Sequence, residues 1–187
     1  MERQFEWKLL KREQLFKDRW ADIRIDTCEK PNGSIITPFY TYQFPDFATA
    51  LAFTKDGKVI LEKIYRHGVG LTALELPGGC VDATDDSLEE AMARELLEET
   101  GYRFDKIEYL GKVAHNPFIH NNYMHMFIAH GGVFDPTQVL DEEEDVEVTL
   151  VSLEEVLVLL KQQHFLQAMQ VCTIYYALMK MGKMVLQ

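Results

Sequence analysis

The sequence predicts an α+β fold, and three observations carry that prediction. Segments of extended character run from residue 5 to residue 76. One amphipathic helix follows near residue 90, and two more helices close the chain after further strands. The order strands, helix, strands, helices differs from the regular strand–helix alternation of a parallel βαβ sheet.

The elements follow in chain order. Phe5–Leu10, Trp20–Thr27, Ser34–Tyr42 and Ala48–Phe53 read as strands, separated by the turn signals KPNG (30–33) and FPDF (44–47). Asp56-Gly57 sits between two apolar runs and predicts a hairpin, because the pair tolerates the positive φ of a tight turn. A short apolar stretch, 71–76, leads into Pro77-Gly78-Gly79. Ser87 with Glu90 predicts a capping box that starts a helix, and Gly101 supplies the residue that stops it. Residues 107–114, 123–130 and 146–151 alternate well enough for three more strands. Two helices are expected at 152–162 and 164–181, the first opened by a capping box of Ser152 and Glu155. Phe165, Met169, Cys172, Tyr175, Tyr176 and Met179 form a stripe on the second, expected to serve core or dimer packing.

Composition narrows the function classes. The 187 residues suffice for one sizeable core, and 47% hydrophobic with 26% charged residues is ordinary globular composition. A net charge of -11 argues against nucleic acid and against attachment to anionic membranes. Cys28, Cys80 and Cys172 are widely spaced, which speaks against a zinc site or disulfide framework. That cysteine usage, and a start (MERQFEWKLL) without an apolar signal-peptide core, predict a cytoplasmic protein. No apolar run is long enough to span a bilayer.

The run GGCVDATDDSLEEAMARELLEETGY (78–102) carries the chemistry. On the helix, Glu95 and Glu99 lie about 40° apart, with Glu98 beside them. Leu88, Met92 and Leu96 place an apolar stripe against that face. Like charges at this spacing repel, partial burial strengthens the repulsion, and Glu98 and Glu99 fall where the helix dipole disfavours anions. Only Arg94 offers local compensation. A hard divalent cation would remove the cost, and glycines before the helix let backbone approach a ligand closely. Metal, backbone and acids together suit attack of water on a pyrophosphate.

The run resembles the signature of the Nudix hydrolase family, G-x5-E-x7-R-E-U-x-E-E-x-G-U, with U a bulky apolar residue. Gly79, Arg94, Glu95, Leu96, Glu98, Glu99, Gly101 and Tyr102 match it. The loop between Gly79 and Arg94 is one residue longer than the pattern, and the early glutamate is an aspartate, aligned as Asp86. The resemblance implies an α/β/α sandwich with a mixed sheet. It implies Glu95 and Glu99 as metal ligands, Glu98 as a ligand or a partner of the ligands, the Gly78 carbonyl as a backbone ligand, and Arg94 as the residue that orients the glutamates. The cofactor implied is Mg²⁺, with Mn²⁺ as a substitute.

Three further features resemble the branch that hydrolyses ADP-ribose and nucleoside diphosphate sugars. Pro117 lies sixteen residues beyond Gly101, in HNPFIHNNYMHMFIAH. IYRHGVG (64–70) resembles a strand-end arginine segment, which makes Arg66 a candidate contact for diphosphate or base. Glu75, Asn116 and Pro117 complete the substrate-binding set, and Asn121 and Asn122 are further candidates for sugar hydroxyls. LDEEEDVEV (140–148) resembles an acidic loop whose glutamate activates water, with Glu142 the first choice and Glu144 the second. Of the histidines, His125 is expected to be structural, while His115 and His120 flank the Pro117 loop. Residues 1–45 are expected to form an N-terminal β extension and 46–187 the hydrolase domain. In the resembling branch such an extension helps to build a homodimer, a role that Trp7, Phe39, Tyr40 and Phe44 suit. The expected reaction is hydrolysis of a nucleoside diphosphate sugar, with ADP-ribose and GDP-mannose both admissible, to a nucleoside monophosphate and a sugar phosphate. Hydrolysis of another nucleotide and a non-catalytic ligand sensor are the alternatives.

Overall fold

The computed structural model describes residues 4–136 and 145–184. Its strands are β1 (Lys8–Lys17), β2 (Asp22–Glu29), β3 (Ile35–Gln43), β4 (Phe47–Thr54), β5 (Val59–Arg66), β6 (Leu71–Glu75), β7 (Tyr102–Arg103), β8 (Lys106–Ala114), β9 (Tyr123–Phe134) and β10 (Glu147–Val151). Its helices are α1 (Leu88–Thr100), α2 (Leu153–Lys161) and α3 (Ala168–Lys180). The chain divides into two compact units. One runs through Pro45 and takes in Ala114–Tyr123; the other holds the rest.

The first unit is an antiparallel sheet in the order β1-β2-β3. All ten side chains of β1 are exposed, so the strand has no buried face to impose alternation. That explains why its polar half, residues 11–17, gives no strand signal in the sequence. The segment 114–123 attaches to β3 through backbone: Tyr42 N–H donates to Ile119 O at 2.8 Å, and Asn121 N–H donates to Tyr42 O at 3.3 Å. Tyr42, Phe44 and His120 cluster there, with ring centroids 5.0–6.5 Å apart.

The second unit contains a mixed sheet in the order β10-β5-β4-β9-β7, with β6 on β5 and β8 on β9. The β4–β9 pairing is parallel, whereas β4 with β5 and β5 with β10 are antiparallel. Strand β4 is buried on both faces, and the period-2 alternation sorts its side chains. Ala48, Ala50 and Ala52 join Met92 and Leu96 of α1, together with Ile60 and Phe127. Leu51 and Phe53 join α2 and α3 through Val156, Ile174, Ala177 and Leu178. The three alanines leave room for α1 to lie close to the sheet. The result is the α/β/α layering with a mixed sheet that the resemblance implies.

Four local expectations need correction. Ser87 caps α1 by accepting from Glu90 N–H, but the Glu90 carboxylate takes the N–H of Asp86, so the box is not reciprocal. Helix α3 starts at Ala168, later than expected. Its buried face is Met169, Gln170, Thr173, Ile174, Ala177 and Leu178, while Tyr175 and Tyr176 stand in solvent. The expected stripe is therefore displaced by about one residue, because alanine and threonine, not tyrosine, sit where the helix meets the sheet. The short strand β7 was not anticipated; two residues show no periodicity.

Candidate active site

The site is built where α1 meets the loop after β6. Helix α1 is held to the sheet by Met92 and Leu96, both fully buried. That docking carries Glu95 and Glu99, three positions after Met92 and Leu96 respectively, to the edge of the core. Each is only 8% exposed, whereas the Glu98 side chain is 44% exposed. Gly101, at φ 74°, adopts the left-handed conformation that ends the helix, and its N–H donates to Leu97 O.

Backbone from the loop presses directly on these acids. Gly78 N–H donates to Glu99 Oε2 at 2.7 Å. Gly78 lies at φ 151°, and a Cβ there would collide with the carbonyl oxygen of Ala48. A Cβ on Gly79 would collide with the Glu95 carboxylate. Gly78 is thus required by close approach of two backbone segments, while a side chain at Gly79 would displace the Glu95 carboxylate.

Arg94 ties helix to loop. Its Nη1 donates to Glu95 Oε1 at 2.8 Å and to Glu98 Oε2 at 3.0 Å. Its Nε and Nη2 grip Asp85 at 3.0 Å each, and Nη2 also donates to Cys80 O. The hydrogen bond to Asp85, ahead of those to Glu95 and Glu98 and against the opposing effect of burial, pushes the guanidinium above its ordinary value. The same bond holds Asp85 below the usual carboxylate range. This corrects the alignment of the early acidic position. Asp86 is exposed, and Asp85 faces Arg94 with a side chain only 5% exposed. Asp85 stands six residues after Gly79, as the signature requires, so the extra residue falls after the acid and not before it.

A second guanidinium–carboxylate pair lies at the ends of β5 and β6. Arg66 Nε and Nη2 donate to Glu75 Oε1 and Oε2 at 2.9 and 2.7 Å. Gln167 and Gln170 each donate to Glu75 Oε2, at 2.7 and 2.8 Å. Burial raises the Glu75 carboxyl, but Arg66 and the two amides outweigh it and hold the pKa below its ordinary value. The Glu75 bond raises Arg66 against burial, with added pull from Glu99 and Glu62, so this cation lies within the field of the acidic helix. Sequence reasoning missed Gln167, Gln170 and Glu62. All three are polar and, on single-sequence evidence, read as surface positions, although Glu62 and Gln170 are buried.

The remaining candidates divide. Pro117 and Asn116 lie in the first unit, in a turn where Asn116 O accepts from the N–H groups of Ile119 and His120. Asn121 Oδ1 accepts from Phe44 N–H, and Asn122, 2% exposed, donates to Pro45 O, so these two side chains fasten segment 114–123. His125 is buried between Tyr109 and Asp46, at 3.2 and 2.9 Å. His115 and His120 bring their Nδ1 atoms within 3.1 Å of each other. Glu142 and Glu144 lie outside the described residues.

The acids of α1 suit a hard divalent cation in donor type, burial and charge. Asp85, Glu95 and Glu98 bring three negative charges to Arg94, with Asp82 at 3.7 Å and Glu99 one helical turn beyond Glu95, and buried like charges are costly unless neutralised. Among the described residues no three ligating side chains converge on one point; Glu95 and Glu98 are turned to Arg94, and Glu99 to Gly78.

Comparison with known proteins adds family matches over most of the chain. The NUDIX domain model matches residues 44–169, and the model of the nucleoside diphosphate sugar hydrolase N-terminal domain matches residues 7–42. A protein of Bacillus subtilis named ADP-ribose pyrophosphatase is 31% identical over 94% of both chains. One of Bacillus methanolicus named methanol dehydrogenase activator is 29% identical over 92% of both. A crystal structure described as an ADP compounds hydrolase shares the fold, with a TM-score of 0.84 and 21% identity over 98% of this chain and 100% of its own. The glycine loop locked on two buried glutamates, the arginine that binds both helix and loop, and a domain match over two thirds of the chain lead to one assignment: this protein belongs to the Nudix hydrolase family.

Proposed function

We propose that the protein hydrolyses the diphosphate linkage of a nucleoside diphosphate sugar, with ADP-ribose the first candidate and GDP-mannose the second. The observation that carries this reading is the pair of adjoining domain matches, a sugar-nucleotide N-terminal module followed by a Nudix domain, in the arrangement spanned by the 31% identical ADP-ribose pyrophosphatase. The products are a nucleoside monophosphate and a sugar phosphate.

Nudix enzymes generally use divalent cations. Here Glu95, Glu98, Glu99 and the Gly78 carbonyl would hold Mg²⁺, or Mn²⁺ in its place. Such an ion, when bound, neutralises the diphosphate and stabilises charge developing on phosphoryl oxygens. The chain's own residues do the rest. Arg94 orients Glu95 and Glu98, and Gly78 N–H fixes the Glu99 carboxylate. Arg66, whose side chain is 44% exposed, offers a cation to the diphosphate. Asn116 and Pro117 contribute to the substrate pocket. Glu142, with Glu144 second, accepts the proton of the attacking water. General-base loss costs about 10²–10⁴-fold, so Glu142→Gln should lower kcat by that order with affinity little changed, and Glu144→Gln should do less.

The working assembly in this reading is a cytoplasmic homodimer, supported by the exposed apolar side chains of the first unit, Leu9, Leu10, Leu15, Phe16 and Trp20. Among the described residues no helix is long and apolar enough to cross a membrane. A second reading, action on a partner dehydrogenase, has the 29% identical activator in its favour. A nucleotide panel with Mg²⁺ tests the proposal through phosphate released after phosphatase coupling. Turnover of ADP-ribose or GDP-mannose ahead of dinucleoside polyphosphates and oxidised nucleotides is the expected result. No turnover of any nucleoside diphosphate sugar would overturn it.

A further inference from the structure

Gln170 lies one residue beyond the part of the chain that the Nudix domain model matches. It is 4% exposed, and an amide in so dry a place is costly unless both ends are bonded. Both are. Nε2 donates to Glu75 Oε2 at 2.8 Å, and Oε1 accepts from Leu76 N–H at 3.1 Å. The two bonds also fix which end of the amide is which, since Leu76 needs an acceptor and Glu75 a donor. One turn earlier on the same face, Gln167 gives Glu75 a further neutral donor at 2.7 Å.

The consequence passes through Glu75 to Arg66. A carboxylate 1% exposed and gripped by two neutral amides keeps its full charge for one partner, and the bidentate Arg66 pair is that partner. Two of the three nitrogens of the guanidinium are thereby fixed, and the group is held in one plane. The charged groups around it are Glu75, Glu62 and Glu99. Gln170 also pins the residue two before Gly78, whose N–H holds Glu99.

We infer that Gln167 and Gln170 are positioning residues for substrate binding: from the start of α3 they lock Glu75, and through it the orientation of the exposed Arg66 guanidinium toward the substrate diphosphate. This rests on the proposed function for the identity of the substrate, though not for the geometry of Arg66. The diphosphate meets Arg66 on binding and keeps that contact through the reaction, so its loss raises KM and lowers kcat/KM.

Two variants test it. Gln170→Glu keeps the acceptor for Leu76 but sets a carboxylate against Glu75. At low pH that carboxylate is protonated and again donates; at high pH the two repel. Gln167→Ala removes one donor at a half-buried position, where folding is not at risk. The readouts are KM and kcat for ADP-ribose with Mg²⁺ between pH 6 and 9, and exchange of the Arg66 Nε–H in the substrate-free protein by ¹⁵N NMR. The expected results are a KM raised about tenfold for Gln170→Glu at pH 8–9 and recovering toward the wild-type value at pH 6. Gln167→Ala should show a smaller, pH-independent rise, and Arg66 Nε–H exchange should be faster in both. A KM that tracks wild type across the whole range in both variants overturns the inference, as does unchanged Arg66 exchange. If wild-type protein hydrolyses no nucleoside diphosphate sugar, the functional reading falls, and the Arg66 exchange rates decide the positioning role alone.

Discussion

Arg94 and Arg66 both grip a carboxylate bidentately, yet they do opposite electrostatic work. Around Arg94 the partners are Asp85, Glu95, Glu98 and, at 3.7 Å, Asp82, so a single cation faces a surplus of negative charge. Around Arg66 the close partner is one carboxylate, and the other donors to that carboxylate are neutral amides. The first cluster carries an excess of negative charge that a further cation would neutralise. The second pairs one cation directly with one carboxylate and leaves part of a guanidinium exposed for an anion. A salt bridge in this protein is therefore read by the charge left over. Surplus acid marks where a metal suits, and a satisfied acid beneath an exposed arginine marks where a phosphate suits.

The most damaging way to break the contrast is at the acid surplus. Glu99→Gln keeps the shape and removes one anionic ligand. Turnover should fall on the order of 10²–10³-fold, since metal-borne charge stabilisation is worth several kcal/mol. Thermal unfolding in chelator should show no loss of stability, because repulsion within α1 is relieved. Wild-type turnover in this variant would remove Glu99 from the metal site.

A smaller effect separates two adjacent aspartates. Asp85→Asn weakens a charge-assisted pair with Arg94 and loosens the loop from the helix, so kcat/KM should fall by about tenfold. Asp86→Asn should stay within about twofold, since that side chain is exposed. The reverse order of effects would restore the alignment on Asp86.

The smallest effect concerns stability at the Arg66–Glu75 pair. Glu75 has its pKa depressed in the folded protein, so its contribution is complete above the ordinary value of 4.5 and is lost as pH falls through the lower folded value. Urea unfolding should find Glu75→Gln about 1 kcal/mol less stable than wild type at pH 7. The gap should close on acidification below 4.5. A gap that widens at low pH would mean that Glu75 is neutral in the native state.

Much of this architecture is legible in the sequence, for local reasons. The hairpin at Asp56-Gly57, the caps at Ser87, Gly101 and Ser152, and the apolar stripe of Met92 and Leu96 depend on neighbours within about four residues, which spacing reports. The signature acids are legible because helical geometry alone puts Glu95 and Glu99 on one face. The sequence did not show that Asp85 is the arginine's partner, because two adjacent aspartates look alike until the loop closes and buries one of them. Nor did it show that segment 114–123 belongs with β3, more than seventy residues earlier, through bonds that are mostly main chain and leave little mark on side-chain pattern. Strand β1 was half hidden, since a strand exposed on both faces needs no alternation. Gln167 and Gln170 were invisible altogether: a glutamine reads as surface until α3 is laid against the end of β6, more than ninety residues away in sequence, where a buried carboxylate is waiting for donors. Local periodicity determined the helices, the caps and the acidic face. Which polar groups lost water together, and hence which charges found direct partners and which were left in excess, depended on how distant elements pack.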